Sequence, residues 1–309
     1  MDYIKIFSPA TIANLSCGFD VLGLCLDNVG DEMTVRKIDE KTIRITKIEG
    51  ADLPLETEKN VSGVAALALL HEWDTDYGFE IEITKNIKAG SGIGSSAASA
   101  AGSVFAINEL LGRPYENKDL VRFAMQGEKL ASGSAHADNV APALLGGITL
   151  VRSYDPLDII KIEAPEELFA TVIHPQIELR TADARSVLKQ HITLQNAITQ
   201  WGNVGGFVAG LYTRDYGLIG RSLQDKIVEP IRGLLIPGFD RLKIACQTQG
   251  ALGSGISGSG PSVFALSRGF ETAQNAASAM SQVYDDMKLP YEIHISGINP
   301  EGIKILDKK

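Results

Sequence analysis

The chain has 309 residues, of which 44% are hydrophobic and 22% are charged, so it is long enough for two modest globular domains with ordinary cores. Its 38 acidic and 29 basic residues give a net charge of −9, which argues against nucleic acid or an anionic membrane as a partner, because both favour a basic face. Three scattered cysteines and an N-terminus without the apolar core of a signal peptide predict reduced thiols and a cytoplasmic location.

In the first half of the chain, short apolar or alternating runs predict strands, and helical spacing predicts helices. The strands are expected at Tyr3–Phe7, Met33–Ile38, Thr42–Ile48 and Phe79–Ile83. The alternation in the second and third of these runs suits half-buried antiparallel strands. The helices are expected at Val61–Trp73 and from about Ser96 to Leu111, the second being stopped by Gly112 and Pro114.

A polar stretch with two prolines, Arg152–Pro165, marks the predicted boundary between a domain of residues 1–160 and a second domain of residues 161–309. In the second half, strands are expected at Leu168–Ile173, Ser262–Leu266 and Tyr291–Ile295. Helices are expected at Ala182–Lys189, Leu194–Tyr212, Leu218–Ser222, Asp240–Gln247 and Thr272–Met287. Sheets that carry helices on one face give an α+β fold in both halves.

A glycine–serine loop, Gly90–Ser96, lies between a predicted strand and the alanine-rich helix. Glycine at every second position allows positive φ and lets the backbone approach an anion closely. The free amides and the dipole of the following helix attract that anion, and Ser95 and Ser96 add hydroxyls for helix capping, phosphate or magnesium. A serine-capped turn without a ligand is the alternative, and the loop lacks the Gly-Lys-Ser/Thr ending of a Walker A motif.

A second glycine-rich segment, Gly253–Gly258, matches the letters of the dinucleotide-binding pattern G-x-G-x-x-G. It leads through Pro261 into the predicted Ser262–Leu266 strand and not into a helix, so the helix dipole on which that pattern depends is missing. We therefore reject a nicotinamide cofactor. We expect Ser257–Pro261 to be a backbone loop that closes on a substrate or a phosphate from the other domain.

Three ordered segments together resemble the GHMP kinase superfamily, and the first of them resembles the homoserine kinases within it. The segments are Ser8–Asp20, Gly90–Ala98 and Gly255–Ser262. The resemblance covers essentially the whole chain, and it is strengthened by Glu128, His136–Gly147 and Thr181–Arg185. The sequence departs from the family pattern at Lys88, Ile93, Ala135 and Ala137. The glycines and serines suited to phosphate binding are all present.

The resemblance implies a two-domain α+β fold, with an N-terminal domain like ribosomal protein S5, a ferredoxin-like C-terminal domain and the active site between them. It also implies transfer of a phosphoryl group from MgATP to the hydroxyl of L-homoserine, a step of threonine biosynthesis, by a homodimer. The implied magnesium ligands are Ser96 and Glu128, although Glu128 could be an exposed helix charge. The implied ATP-binding residues are Asn60, Lys88, Ala89, Gly90, Ser91, Gly92, Ile93, Gly94, Ser95, Ser96, Ala97 and Ala98. For Asn60, helix capping is the alternative to a contact with adenine.

An amino acid substrate presents a carboxylate, an ammonium and a hydroxyl, so a dedicated site needs a complement to each. Asp20 is the candidate for the ammonium, with a turn-capping role as its alternative. Asn14 would hydrogen-bond the substrate unless it only forms an Asx-turn. Arg185 and Arg232 are the candidates for the carboxylate, because guanidinium groups bind it bidentately. Arg232 could equally be a solvated surface charge.

The remaining candidates concern the reacting hydroxyl. His136 and Gly258 are expected at the substrate, His136 either in contact with it or orienting Asn139, unless it is a structural histidine. Thr181, Asn139 and the carboxylate-binding Arg185 are the predicted catalytic residues, with Thr181 at the γ-phosphate or the hydroxyl. Several relatives have an aspartate in place of Asn139, and an amide cannot take a proton. We therefore hypothesise in-line attack without a protein base, with Asn139 holding the hydroxyl and Asp138 as the rival base.

Two other functions compete with this interpretation. A kinase of the same superfamily that acts on mevalonate or a related compound would bind a carboxylate but no ammonium, so Asp20 discriminates against it. A catalytically silent relative that senses a nucleotide or an amino acid is the other possibility. The presence of Glu128, Ser96 and the whole glycine–serine loop argues against such a sensor.

Overall fold

The computed structural model describes residues 2–179, 181–189 and 191–309, and these residues form two β-sheets with helices packed against them. The strands are β1 (Tyr3–Ala13), β2 (Leu22–Ile38), β3 (Ile43–Glu49), β4 (Gly78–Thr84), β5 (Ile148–Tyr154), β6 (Leu157–Ile162), β7 (Leu168–Pro175), β8 (Gly253–Ile256), β9 (Val263–Arg268), β10 (Tyr291–Gly297) and β11 (Lys304–Lys308). The helices are α1 (Val61–Glu72), α2 (Ser95–Leu110), α3 (Asn117–Ser132), α4 (Val140–Leu145), α5 (Thr181–Ser186), α6 (Leu194–Thr213), α7 (Tyr216–Ser222), α8 (Glu229–Arg232), α9 (Phe239–Thr248) and α10 (Phe270–Asp286).

The first sheet has seven strands, with β11-β1-β2-β4-β3 in order and the β5–β6 hairpin joined to it through β2. β2 is antiparallel to β1 and β4. β3 is parallel to β4, so the expectation of an antiparallel strand at Thr42–Ile48 was wrong. Parallel pairing is possible here because α1 follows β3 and carries the chain back to the start of β4.

The polar stretch Arg152–Pro165 contains a hairpin of the first sheet and is not simply a linker. β5 and β6 pair antiparallel there, and Ile159 and Ile162 on β6 are buried. The domain boundary at residue 160 stays a prediction. The last strand of the chain, β11, also belongs to the first sheet. There β11 pairs antiparallel with β1.

The second sheet has the order β10-β7-β9-β8, and all of its neighbouring strands are antiparallel. This is the strand order of a ferredoxin-like domain, with α9 and α10 on one face. A shared hydrophobic cluster joins the two halves, since it includes Ile12 and Leu24 of the first sheet and Val172 and Phe264 of the second. The two-domain α+β fold expected from the sequence is confirmed.

Helix α2 is the central helix of the first half. Of its 16 residues only Ser96 is not buried, because alanine, serine and glycine let α1, α3 and β1 approach closely. Its first turn therefore meets the cleft while the rest of the helix lies in the core. The three cysteines are buried and free, as predicted. Among the described residues, no helix is both long enough and apolar enough to cross a membrane.

Candidate active site

A cavity of about 500 Å³ lies between the two halves of the molecule. One end is formed by the glycine–serine loop and the start of α2, and the other by the turn after β1 together with α5 and α8. The polar groups that line it are Asn14, Asp20, Lys59, Lys85, Ser95, Ser96, Ser99, Glu128, Ser132, His136, Asp138, Asn139, Arg185, Arg232 and Ser259.

The glycine–serine loop has the backbone that its sequence predicts. Gly90, Gly92 and Gly94 have φ of 75°, 84° and 72°, a left-handed conformation that glycine adopts without steric cost. Helix α2 begins directly after Gly94, so its unpaired amides lie at the end of the loop. The loop therefore presents free amides and a helix N-terminus, an arrangement that suits an anion such as phosphate.

Not every residue of the predicted ATP-binding segment reaches the cavity. Ala89, Gly90, Gly92, Gly94, Ser95 and Ser96 line it. Lys88 instead pairs with Gln176, and Ser91 is buried. Ile93, Ala97 and Ala98 are core residues behind the loop. These residues support the loop from behind and are not among the cavity-lining residues.

The second half of the molecule clamps the glycine–serine loop from outside. Ser257 donates a hydrogen bond of 2.7 Å to the Gly92 carbonyl, and Ser262 donates one of 2.6 Å to the Ser91 carbonyl. A side chain at Gly92 would lie 2.6 Å from the Gly260 carbonyl oxygen, so glycine is required there for packing as well as for φ. The Gly253–Gly258 segment, which matches the letters of the dinucleotide-binding pattern, is thus strand β8 and the start of a loop that packs against the glycine–serine loop.

Lys85 is a cavity residue that the sequence interpretation missed. It is buried, forms an ion pair with Asp31 and donates hydrogen bonds to the Ser95 carbonyl at 2.8 Å and to Ser99 Oγ at 3.0 Å. Burial lowers the pKa of Lys85, while the charge of Asp31 raises it. Asp31 also accepts the backbone N–H of Ile87 at 2.9 Å. A single lysine at the end of a strand carries no local signal of these long-range contacts.

Glu128 lies on α3, a helix absent from the sequence-based prediction, and it is buried rather than an exposed helix charge. Burial raises the pKa of Glu128 to about 7, although a side-chain hydrogen bond with Ser96 and the charge of Lys85 lower it. Its Oε1 has no hydrogen-bond partner within the described part of the chain. A buried carboxylate oxygen left open beside Ser96 suits a hard cation. Neither here nor elsewhere in the described residues is a group of three or more His, Cys, Asp or Glu arranged to hold a metal.

The opposite end of the cavity contains a network around Asp20. Asp20 Oδ2 lies 2.7 Å from an Nη of Arg185 and 3.9 Å from Nε2 of His136. The backbone N–H of Asp20 donates to Asn14 Oδ1 at 3.0 Å, and the Tyr154 hydroxyl donates to the Asp20 carbonyl at 2.8 Å. Acidic and basic candidates that lie far apart in sequence therefore meet at one point. Tyr154 had not been predicted.

Arg232 is buried and is not a solvated surface charge. Its Nε donates to the Ala184 carbonyl at 2.8 Å, and an Nη donates to the Gly258 carbonyl at 3.3 Å. The guanidinium carbons of Arg185 and Arg232 lie 5.7 and 5.0 Å from the ring centroid of Phe19. Stacking on one aromatic ring keeps two cations close together at this end of the cavity.

Asn139 and Asp138 lie between the two ends. Asn139 Oδ1 accepts a hydrogen bond of 2.8 Å from Thr11 Oγ1, which leaves the amide nitrogen as the group available to the cavity. Burial, followed by the negative charges of Asp20 and Glu128, raises the pKa of Asp138 to about 8. Burial lowers the pKa of His136, against the attraction of Asp20. Thr11 is a further residue that sequence alone did not indicate.

Two of the predicted site residues, Asn60 and Thr181, differ from those described above. Asn60 caps α1, because its side chain accepts the Ser62 N–H at 2.9 Å and donates to the Pro54 carbonyl at 2.8 Å. The helix-capping alternative therefore describes its side chain, and the neighbours Lys59 and Val61 line the cavity in its place. Thr181 begins α5, but its side chain lies outside the part of the chain that the structure describes.

Comparison with known proteins agrees with this geometry. A model of the GHMP kinase N-terminal domain matches residues 59–147, and a model of the GHMP kinase C-terminal domain matches residues 207–286. The homoserine kinase of Chlorobium phaeovibrioides is 47% identical over 320 residues, covering 99% of this chain and 100% of that protein. The chain belongs to the GHMP kinase family. It is therefore an ATP-dependent kinase that acts on a hydroxyl group.

Solved structures give the same result for the fold of this GHMP kinase. The crystal structure of homoserine kinase from Cytophaga hutchinsonii has a TM-score of 0.95 and 54% identity, covering 99% of this chain and 98% of that one. Mevalonate kinase of L. major, in complex with R-mevalonate, has a TM-score of 0.69 at 17% identity, over 95% of this chain and 96% of that one. The second likeness concerns the fold alone.

Proposed function

We propose that this GHMP kinase is a homoserine kinase, which transfers the γ-phosphoryl group of MgATP to the hydroxyl of L-homoserine and gives O-phospho-L-homoserine for threonine biosynthesis. The observation that carries the proposal is the 2.7 Å pair of Asp20 and Arg185 at the far end of a cavity that begins at a phosphate-binding loop. The homoserine kinases at 47% and 54% identity support the same substrate.

The chemistry of an α-amino acid explains why these two side chains are neighbours. Its ammonium and carboxylate sit on one carbon atom, so the groups that bind them must also lie side by side. Asp20 is the complement to the ammonium, and Arg185 with Arg232 is the complement to the carboxylate. Mevalonate has no ammonium, so it would offer Asp20 no cationic group to bind.

Magnesium fits the site beside the glycine–serine loop. Glu128 Oε1 is a buried oxygen without a partner among the described residues, and Ser96 supplies a hydroxyl next to it. We assign Glu128 and Ser96 as the residues that would hold the ion. When bound, magnesium would neutralise phosphate charge and orient the nucleotide. Lys85 adds a buried positive charge at the same end.

The transfer step needs positioning more than a protein base. Asn139 presents its amide nitrogen to the cavity because Thr11 occupies its oxygen. A carboxyl group with a pKa of about 8 is mostly protonated at neutral pH, so only the ionised minority of Asp138 could accept the hydroxyl proton there. We therefore assign in-line attack without a protein base. For Asp138→Asn we expect a loss of only a few-fold in kcat, and a loss of ~10³ or more would identify Asp138 as the base.

The test of the function is ADP release from MgATP with L-homoserine, mevalonate, shikimate and L-threonine as acceptors, with acceptor-free protein as the control. We expect turnover with L-homoserine and a much lower kcat/KM for the other three. Absence of turnover at millimolar L-homoserine would contradict the proposal. Turnover of mevalonate would assign the site to the other kind of substrate.

The assembly and location of the protein rest on family likeness alone. We propose a homodimer in the cytoplasm, without nucleic acid or membrane partners. Light scattering during size-exclusion chromatography would distinguish the 33.1 kDa chain from a dimer of twice that mass. A monomer at micromolar concentration would contradict the proposed assembly and leave the proposed activity untouched.

A further inference from the structure

The turn after β1 has an unusual backbone. Asn14, Leu15 and Ser16 are consecutive residues with φ of 75°, 44° and 58°, and Asp20 follows with φ of 61°. Left-handed conformation is common for glycine, tolerated by asparagine and aspartate, and rare for a residue such as leucine. Such a run persists only where surrounding contacts hold it in place. We refer to residues 14–20 as the left-handed turn.

Two residues near the start of the left-handed turn, Asn14 and Ser16, are held by contacts from the second half of the molecule. Asn14 donates to the Gly258 carbonyl at 2.7 Å. Ser16 donates from Oγ, which lies 2.9 Å from Glu229 Oε1 and 3.1 Å from the Ser254 carbonyl oxygen. Ser16 is only 2% exposed, so these contacts do not compete with water.

Glu229 is the centre of this contact. Its Oε1 also accepts the Ile256 N–H at 3.1 Å, and its Oε2 lies 2.6 Å from Lys243 Nζ. A Cβ at Gly255 would come within 2.1 Å of that Oε1, so the carboxylate packs directly on the backbone of β8. Burial raises the pKa of Glu229, and Lys243 lowers it. One carboxylate therefore joins the left-handed turn, β8 and α9.

Glu229 also belongs to the short helix that carries Arg232. Asp225 caps this helix, since its Oδ2 accepts the Glu229 N–H at 3.0 Å and its Oδ1 accepts the Val228 N–H at 3.0 Å. Arg232 follows one turn after Glu229 and reaches the Gly258 carbonyl, which Asn14 also contacts. The backbone segments of the ammonium-binding and carboxylate-binding groups are thus held together through Glu229, which itself does not line the cavity.

We propose that Glu229, acting through Ser16, is a positioning residue that holds the left-handed turn and α8 in the arrangement that binds the amino-acid end of the substrate. This inference takes the nature of the substrate from the proposed function. The contacts of Glu229 do not depend on that function. It predicts a selective effect, because the phosphate end is held separately by Ser257, Ser262 and Lys85.

The kinetic test uses Glu229→Gln, which keeps the volume but places an amide against Lys243, and Ser16→Ala, a milder change. We expect KM for L-homoserine to rise about tenfold in the first and about fivefold in the second, with KM for MgATP within about twofold of the wild type. The double variant should be little worse than Glu229→Gln, because both changes act on the same contact between Ser16 and residue 229.

Val283→Ala is the matched control, because Val283 is buried in a hydrophobic cluster around α10 that includes no residue of the left-handed turn. It should lower Tm without changing KM for L-homoserine. The proposal is overturned if Glu229→Gln and Ser16→Ala lower Tm in the same way but leave both KM values unchanged, since the contact would then serve stability alone.

A second measurement separates this inference from the proposed function. Hydrogen exchange of the ligand-free protein should be about tenfold faster in residues 14–22 of Glu229→Gln, with α2 unaffected, whatever the substrate is. Should the wild type fail to phosphorylate L-homoserine, the proposed function fails and this readout still decides the role of Glu229. Unchanged exchange in residues 14–22 would overturn it.

Discussion

The two ends of the cavity use the same backbone conformation by different means. The glycine–serine loop reaches positive φ at Gly90, Gly92 and Gly94, where no side chain resists it. The left-handed turn reaches positive φ at Asn14, Leu15 and Ser16, where left-handed geometry costs about 1–2 kcal/mol per residue. The phosphate end therefore reaches its backbone conformation at little cost in free energy, because its positive-φ residues have no side chains.

The left-handed turn depends on the presence of side chains instead. Asn14 bonds to Gly258, Ser16 bonds to Glu229, and Leu15 is fully buried. Each of these contacts offsets part of the backbone cost. We therefore expect added atoms to damage the phosphate end and removed atoms to damage the amino-acid end.

The largest effect is expected from Gly92→Ala at the phosphate end. An added Cβ would lie 2.6 Å from the Gly260 carbonyl oxygen and 2.8 Å from that of Ser257, at a φ of 84°. We expect kcat/KM for MgATP to fall by about a hundredfold or more, because the loop and its clamp cannot both keep their positions. Steady-state kinetics with varied MgATP measures this fall.

Gly269→Ala is the matched control for that variant. Gly269 has the same φ of 84°, but an added Cβ meets nothing within 4 Å, and Gly269 does not line the cavity. We expect a stability loss of about 1 kcal/mol and a small change in kcat/KM. Equal kinetic losses in the two variants would mean that the backbone cost of positive φ alone, and not the clamp from the second half, accounts for the loss.

An intermediate effect is expected from Asn14→Ala at the amino-acid end. The change removes the hydrogen bonds to Gly258 and to the Asp20 N–H and places alanine at a φ of 75°. We expect KM for L-homoserine to rise about thirtyfold, with KM for MgATP nearly unchanged. Gly112→Ala controls for the backbone cost, because it places alanine at a φ of 87° with nothing within 4 Å of the added Cβ and outside the cavity lining, and it should change neither KM. A rise in both KM values for Asn14→Ala would remove the distinction between the two ends.

The smallest expected effect is a change in the apparent KM for Mg²⁺ with pH. Glu128 must lose its proton to bind magnesium, and its pKa of about 7 lies well above the ordinary glutamate value. Lowering the pH from 8 to 6 protonates it, so the apparent KM for Mg²⁺ should rise about tenfold, while Glu128→Gln should bind Mg²⁺ weakly with a flat pH profile. Activity with varied Mg²⁺ at saturating ATP and L-homoserine tests this. A wild-type profile as flat as that of Glu128→Gln would show that Glu128 is not a ligand.

Sequence reasoning succeeded where the signal is local. The glycine spacing of Gly90–Ser96 indicates the positive φ values that the loop has. The alanine-rich helix after it was predicted to within one residue at each end. Asn14 and Asp20 could be named from the family motif. Their left-handed conformation could not be predicted, because it is set by Gly258 and Glu229, whose positions depend on the whole fold.

The errors have similar physical causes. β1 continues to Ala13 and not to Phe7, because Pro9 lies at an irregularity in the pairing with β2 and so does not end the strand. Helix α3 had no predicted counterpart, although its capping box at Glu116 and Asp119 was a readable local signal. The burial of Arg232, over the ring of Phe19, and of Glu128, beside Ser96 and Lys85, follows from packing between segments far apart in sequence, which periodicity within one segment cannot report.

The pairing of β11 with β1 has a consequence for synthesis. Translation delivers β1 among the first strands and β11 as the last, yet the two are neighbours in one sheet. During elongation one edge of β1 has unpaired backbone groups, and such an edge can pair with other chains. The first sheet therefore gains its outer strand only after the second half has been made, so the completion of this sheet is a late step in the folding of each newly synthesised chain.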